Sequence, residues 1–77
     1  MNDTDIDEMI KDAVAEAIKI AGTQKLLANN AGLSQGAIGK YYRGEARPRG
    51  ETAIMLERAV DKKIQRSRFA PHIFIND

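Results

Sequence analysis

Apolar residues recur every three or four positions over the first quarter of the chain, at Ile6, Met9, Ile10, Ala13, Val14, Ala17 and Ile18. This spacing places them on one face of an α-helix. The pattern predicts a long first helix that is capped by Thr4 or Asp5 and stops at Gly22. Asp7 and Glu8 would then stabilise the positive end of the helix dipole.

Two shorter helices follow, predicted at about residues 23–30 and 34–43. Gly32 lies between them and can adopt the positive φ of a tight turn, while Leu33 is placed to fill the corner. Ser34 can cap the second of these helices. The spacing is typical of a helix-turn-helix, whose second helix enters the major groove of DNA.

The outer face of the predicted second helix carries polar and small residues, because Ile38 and Tyr41 turn toward the core. The outward residues are Gln35, Gly36, Gly39, Lys40 and Arg43. Glycine costs roughly 1 kcal/mol relative to alanine inside a helix, so the two glycines indicate close approach to DNA or close packing on the first helix. Glycine has no side chain that reads base edges, which leaves Gln35 and Lys40, with Arg43 as a third candidate, for direct readout.

The rest of the chain predicts two further helical segments. Residues 45–49 form a loop, and Pro48 suits the first turn of a fourth helix with Ala53, Leu56 and Val60 facing the core. A short turn is expected near residues 66–69, and the apolar tail 70–75 either closes the core or joins a partner. We therefore expect one all-α domain, 1–77, a compact bundle of about five helices whose residues 1–4 and 75–77 fray.

Composition narrows the possible classes of protein. The 77 residues include no cysteine, which excludes a disulfide scaffold and a thiolate zinc site. No apolar stretch reaches the roughly 20 residues of a membrane span, so a soluble, cytoplasmic protein is expected. His72, the one histidine, has no neighbouring group in the sequence that would orient it as a base or ligand. We expect no enzyme activity, no metal and no cofactor.

The net charge of +1 conceals an uneven distribution of charge. Residues 1–12 hold five acidic side chains and one lysine, whereas residues 40–68 hold nine basic and four acidic side chains. A run of charge can simply be a solvated face. Because the basic segment begins in the predicted helix-turn-helix, it also indicates contact with phosphates.

The order of these segments resembles the phage Cro-type repressors, and within them the branch that includes YdaS-like antitoxins. The likeness covers residues 17–74 and rests on IKIAGTQKLLANNAGLSQGAIGKYYRG, RP, AIMLERAV and RFAPHIF. It implies a lambda-repressor-like helical fold that binds double-stranded DNA.

Three places depart from the pattern of this family. Tyr41 stands where tryptophan is frequent, Asp61 and Lys62 replace a pair of glycines, and Ala70 and His72 interrupt an Arg-Pro-Asp tail.

The resemblance also implies a role for two glutamines. In phage repressors a glutamine that opens the first helix of the motif braces one near the start of the second, and Gln24 and Gln35 occupy these positions. A glutamine amide can pair with N7 and N6 of adenine, which is worth about 1–3 kcal/mol of base discrimination. The alternative is that Gln24 only supports the helix end and Gln35 is solvated.

Other residues would fix the position of the protein on the DNA backbone. Thr23 and the free N–H groups at the start of the first helix of the motif are suited to a phosphate. Tyr42, Arg43, Arg47 and Arg49 would grip the strand beyond it, although Tyr42 could equally be a packing residue.

Together these features predict a sequence-specific transcriptional regulator, a Cro-like phage or prophage repressor that occupies an operator as a homodimer on half-sites about 10 bp apart. It would be associated with the nucleoid of a bacterial host. Two alternatives stay open: an antitoxin-like protein that binds a partner toxin and autoregulates its operon, and a helical adaptor that does not touch DNA.

Overall fold

The computed structural model describes residues 2–74, and this part of the chain folds into five helices without a strand. The helices are α1 (Asp3–Ala21), α2 (Gln24–Ala31), α3 (Gln35–Arg43), α4 (Gly50–Ala59) and α5 (Arg66–Phe69). The all-α prediction is confirmed. The fraying expected at Met1 and at residues 75–77, and the role expected for Ile75, lie outside the described residues.

Helix α1 begins earlier than predicted. Its cap is Asn2, whose side-chain oxygen accepts the backbone N–H of Asp5 at 2.9 Å, so Thr4 and Asp5 are not the cap but lie inside the helix. Asparagine is as good a cap as aspartate, and its position one residue before Asp3 lets the helix gain two residues. The helix ends at Gly22, as predicted, with φ at 113°.

The hydrophobic core lies between all five helices. Helix α1 packs against α2, α3 and α5, and α4 packs against α2 and α5. The buried side chains include Ile10, Val14, Leu27, Ile38, Leu56 and Phe69. Ala53, Leu56 and Val60 are buried as predicted. In the tail, Ala70 is buried and Phe74 packs against the core, so residues 70–74 close the bundle.

Pro48 does not lie in the first turn of the fourth helix. It is buried in the loop, two residues before α4, and Arg49 forms the N-terminal boundary with an extended backbone. The carbonyl of Arg49 accepts the N–H of Ala53 at 2.9 Å, which is the first turn of α4. Burial of the apolar Pro48 ring holds the loop against the domain. Helix α4 therefore starts only after Pro48.

The end of α4 and the start of α5 are joined by one carboxylate. Glu57 is buried, and its two oxygens accept the backbone N–H of Arg66 at 2.9 Å and the Arg66 guanidinium at 2.9 and 3.3 Å. The hydrogen bonds from the Arg66 side chain, followed by the one from its backbone, lower the pKa of Glu57. The same guanidinium lies 5.6 Å from the centre of the Phe74 ring, which fixes the tail to this junction.

None of the helices in residues 2–74 combines the length and the apolar character needed to cross a membrane.

Candidate nucleic-acid interface

Helices α2 and α3 form a helix-turn-helix with a hydrogen-bonded junction. Thr23 caps α2 by accepting the N–H of Leu26 at 3.1 Å, and Ser34 caps α3 by accepting the N–H of Ala37 at 3.1 Å. Between them Gly32 is left-handed, with φ at 72°, and the N–H of Leu33 donates to a carbonyl of α2 at 2.9 Å. The Ser34 cap and the glycine turn were predicted from the sequence, whereas the Thr23 cap was not. Together the three fix the angle at which α3 leaves the domain.

The face of α3 opposite Ile38 is exposed to solvent. Gln35, Gly36, Lys40 and Arg43 all lie on this side and are exposed. Gly39 differs from the expectation of an open backbone, because it is buried. A Cβ atom at Gly39 would lie 2.9 Å from Nη1 of Arg43, whose guanidinium covers this part of the helix. The face is therefore built from three side chains, one exposed glycine and one covered glycine.

The guanidinium of Arg43 is held by a neighbour. Its Nε donates to a carboxylate oxygen of Glu45, the second residue after the helix. This hydrogen bond lowers the pKa of Glu45, and the charge of Arg43 acts in the same direction. Nη1 and Nη2 of Arg43 donate no hydrogen bond to any residue in the described range 2–74.

Arg47 lies away from this face, against the start of α1. Its Nε donates to Asp7 at 2.9 Å, and its Nη2 lies 3.4 Å from both the carboxylate and the backbone oxygen of Asp3. The hydrogen bond with Asp7 raises the pKa of Arg47. Arg47, expected to grip a phosphate, thus ties the loop after α3 to the first helix in the free protein.

Two of the predicted backbone contacts meet in a shallow hollow of about 240 Å³. Gln24 and Tyr42 line it together with Ala15, Ile18 and Lys19 of α1. Tyr42 is 44% exposed, which is consistent with a contact to the DNA strand and equally with a partly buried packing residue. The expected hydrogen bond between the side chains of Gln24 and Gln35 is not formed in the free protein.

Arg49 is exposed at the start of α4 and forms no ion pair with any described residue. Together with Lys40 it leaves two cations open to an anionic partner. Residues 2–74 contain no group of three or more histidine or acidic side chains placed to hold a metal ion.

Sequence reasoning missed three residues that shape this surface: Lys19, Glu45 and the partner of Arg47, Asp7. Glu45 follows Arg43 by only two positions, so the opposite charges at this short spacing could have indicated the ion pair from the sequence. Asp7 precedes Arg47 by 40 positions, and no local pattern could connect them. In the sequence, the acidic residues at the start of α1 indicate a helix cap and stabilisation of the helix dipole, not partners of Arg47.

The sequence model of the helix-turn-helix family matches residues 18–66, well over half of the chain and all of α2, α3 and α4. The chain belongs to the helix-turn-helix family. Neither the curated proteins nor the solved structures provide a significant match to it.

Membership of the helix-turn-helix family agrees with the geometry of the α2–α3 unit. The family is one of DNA-binding transcription regulators rather than enzymes, and the protein is a DNA-binding regulator of this general kind. The capped α3 is the helix that such a regulator presents to the major groove.

Proposed function

We propose that the protein is a Cro-like repressor that binds an operator sequence by placing α3 in the major groove of double-stranded DNA. The observation that carries this proposal is the exposed face of α3, with Gln35, Lys40 and Arg43 on a helix capped at Ser34. An α-helix fits the width of the major groove, and its exposed polar side chains then meet the base edges. Occupation of the operator would block the polymerase.

Gln35 is the residue we propose for adenine. It is the first residue of α3 and is exposed, so its amide can donate to N7 and accept from N6 of the base. Gln24 opens α2 and would turn toward Gln35 on DNA, where desolvation favours the missing hydrogen bond between the two amides. Lys40 would contact guanine or a phosphate.

The start of α2 and the loop after α3 would fix the protein on the backbone. The free N–H groups that follow Thr23 suit a phosphate, and Tyr42 and Arg49 offer a hydroxyl and an unpaired guanidinium beyond it. Arg47 would contribute to the fold rather than to a DNA contact, by holding the loop after α3 against α1.

The proposal includes a homodimer on DNA. A single module of this size covers roughly 600–1,000 Å² on DNA, which is small for a specific operator complex. Two copies on half-sites about 10 bp apart would double the contacts and impose twofold symmetry on the site.

The test is selection of bound duplexes from a random DNA pool, followed by affinity against salt concentration on the selected site. We expect a palindrome with half-sites about one helical turn apart, and a steep fall of affinity with salt. Gln35→Ala should lose about 1–3 kcal/mol on this site and relax the preference at one position of each half-site. The matched control is Gln65→Ala, which removes another exposed glutamine at a different helix start and should leave binding unchanged.

Absence of a motif, with binding that vanishes near physiological salt, would contradict sequence-specific readout. A protein partner, such as a toxin, would then be the next ligand to look for.

A further inference from the structure

Arg43 occupies the centre of the exposed face of α3 rather than its edge. Gln35, Gly39 and Arg43 follow one another at intervals of four residues, so they lie in one line along the helix. Helical side chains point back toward the N-terminus, and the Arg43 side chain does so until its guanidinium lies over Gly39. The Arg43 guanidinium therefore lies one helical turn from Gln35, on the part of α3 that would face the base edges. It does not lie at the C-terminal end of α3, where the DNA backbone would pass.

We propose that Arg43 reads a guanine in each half-site, with Glu45 and Gly39 as the positioning residues that hold its guanidinium over α3. This inference rests on the proposed function, since it requires α3 in the major groove. The sequence left two roles open for Arg43, base readout and a phosphate contact, and the inference assigns the first.

The hydrogen bond to Glu45 leaves the correct donors free. Glu45 accepts from Nε alone, and the two terminal amino groups donate no bond to any described residue. Two parallel N–H donors match O6 and N7 of guanine, which is the most frequent specific contact of arginine in the major groove. Because Glu45 fixes the plane of the group before binding, less rotamer freedom is lost when the guanine is met.

The charge of Glu45 favours a base over a phosphate at this place. A carboxylate in contact with Arg43 cancels much of its net charge, which weakens attraction to an anion but keeps the directional donors. Arg49, which has no such partner in the described residues, keeps its full charge for a phosphate.

Gly39 is required for this arrangement. A Cβ atom there would lie 2.9 Å from Nη1 of Arg43 and within 3.8 Å of Cζ and Nη2. The clash involves only the end of a flexible side chain, so Gly39→Ala should displace the guanidinium while leaving the helix intact. At Gly50 in α4, by contrast, the nearest atom to an added Cβ is Cζ of Phe74 at 3.6 Å, an ordinary contact.

The experiment uses the full chain and the duplex selected by the wild type, together with duplexes in which each G·C pair of the half-site is replaced by A·T. We expect the wild type to prefer guanine at one pair by roughly tenfold or more. Gly39→Ala and Arg43→Ala should reduce this preference to about twofold or less, and Glu45→Gln should weaken it. Gly50→Ala, in α4 rather than on the exposed face of α3, is the matched control and should retain it.

Thermal unfolding and binding to an unrelated duplex complete the test. Gly39→Ala should unfold at the wild-type temperature or above, because alanine favours a helix over glycine, and its affinity for the unrelated duplex should be unchanged. The inference is overturned if Gly39→Ala keeps the guanine preference. It is also overturned if Arg43→Ala weakens all duplexes by the same factor and lowers the salt slope by about one, which marks a phosphate contact. Either result would leave a wild-type motif, and with it the proposed function, in place, whereas failure of the wild type to select any motif would remove both.

Discussion

Asp61 and Lys62 adopt a left-handed backbone just after α4, with φ at 52° and 61°. The N–H of Lys62 donates to the carbonyl of Glu57 at 2.8 Å, so the turn closes the end of the helix. A side chain with Cβ is disfavoured in this region, where glycine is neutral. This chain therefore has two residues other than glycine in a conformation that favours glycine.

Replacing Lys62 with glycine should therefore stabilise the fold. Relief of the left-handed strain exceeds the added freedom of the unfolded chain, so we expect the free energy of unfolding to rise by about 0.5–1 kcal/mol. Chemical denaturation of Lys62→Gly beside Lys63→Gly measures it. Lys63 has no positive φ, and its replacement should give no gain. Equal effects in both variants would refute the strain at Lys62.

Glu57 should be a second residue with a large effect on stability. Its carboxylate joins α4 to α5 through three hydrogen bonds from Arg66, so Glu57→Gln is expected to lower the free energy of unfolding by about 1–2 kcal/mol. Glu51→Gln is the matched control in the same helix. Glu51 is exposed in the first turn, and its loss should cost only a few tenths of a kcal/mol.

The contribution of Glu57 should also depend on pH. Because folding lowers the pKa of this group, its stabilising effect is complete above the unfolded value of about 4.3 and is lost as the pH falls through the folded value. The difference in stability between wild type and Glu57→Gln should be constant above about pH 5 and shrink below about pH 4. A difference that grows on acidification would contradict the ion pair.

Helix α3 owes its start to Ser34. Nine residues with two glycines form a weak helix in isolation, so the cap and the packing of Ile38 must supply its stability. Ser34→Ala should lower the free energy of unfolding by about 1 kcal/mol, and Ser34→Gly by only a few tenths. Denaturant titrations of the two variants test this, and an unchanged stability of Ser34→Ala would show that the hydroxyl does not cap.

The helices were predictable from the sequence because their signals are local. Gly22, Gly32 and Ser34 each act within four residues, and the structure places them in the predicted roles. The errors arose where several local signals compete, as with Asn2 against Thr4, or where tertiary burial decides, as with Pro48. Helical periodicity, together with these local signals, was therefore sufficient to predict the helices and their order.

The arrangement of charges across the surface was less predictable. Helical spacing is enough to predict that Lys40 and Arg43 lie on the same face of α3. The different contacts of Arg43, Arg47 and Arg49 depend instead on whether each one meets a carboxylate in the folded protein. Arg47 meets Asp7 because the loop after α3 runs back along α1. The sequence shows three arginines within residues 43–49, and only the fold shows that their contacts differ.

This division of roles predicts different effects of two nearby arginines on DNA binding. Arg49→Ala should reduce the slope of log affinity against log salt by about one, because one phosphate contact is lost. Arg47→Ala should leave that slope nearly unchanged and instead lower the unfolding temperature, as should Asp7→Asn, since each breaks the same pair. If the Arg47 variant loses the salt slope and keeps its stability, Arg47 contacts DNA directly.

The most direct test of the central claim is an amide NMR titration of the full chain with the operator duplex. If α3 lies in the major groove and the start of α2 meets the backbone, the largest shift changes should fall at residues 34–43 and at 23–26, with small changes in α5. Gln35→Ala should remove part of the change on α3 only. Large changes confined to the tail and α5, with α3 unaffected, would contradict the claim that this helix reads the DNA.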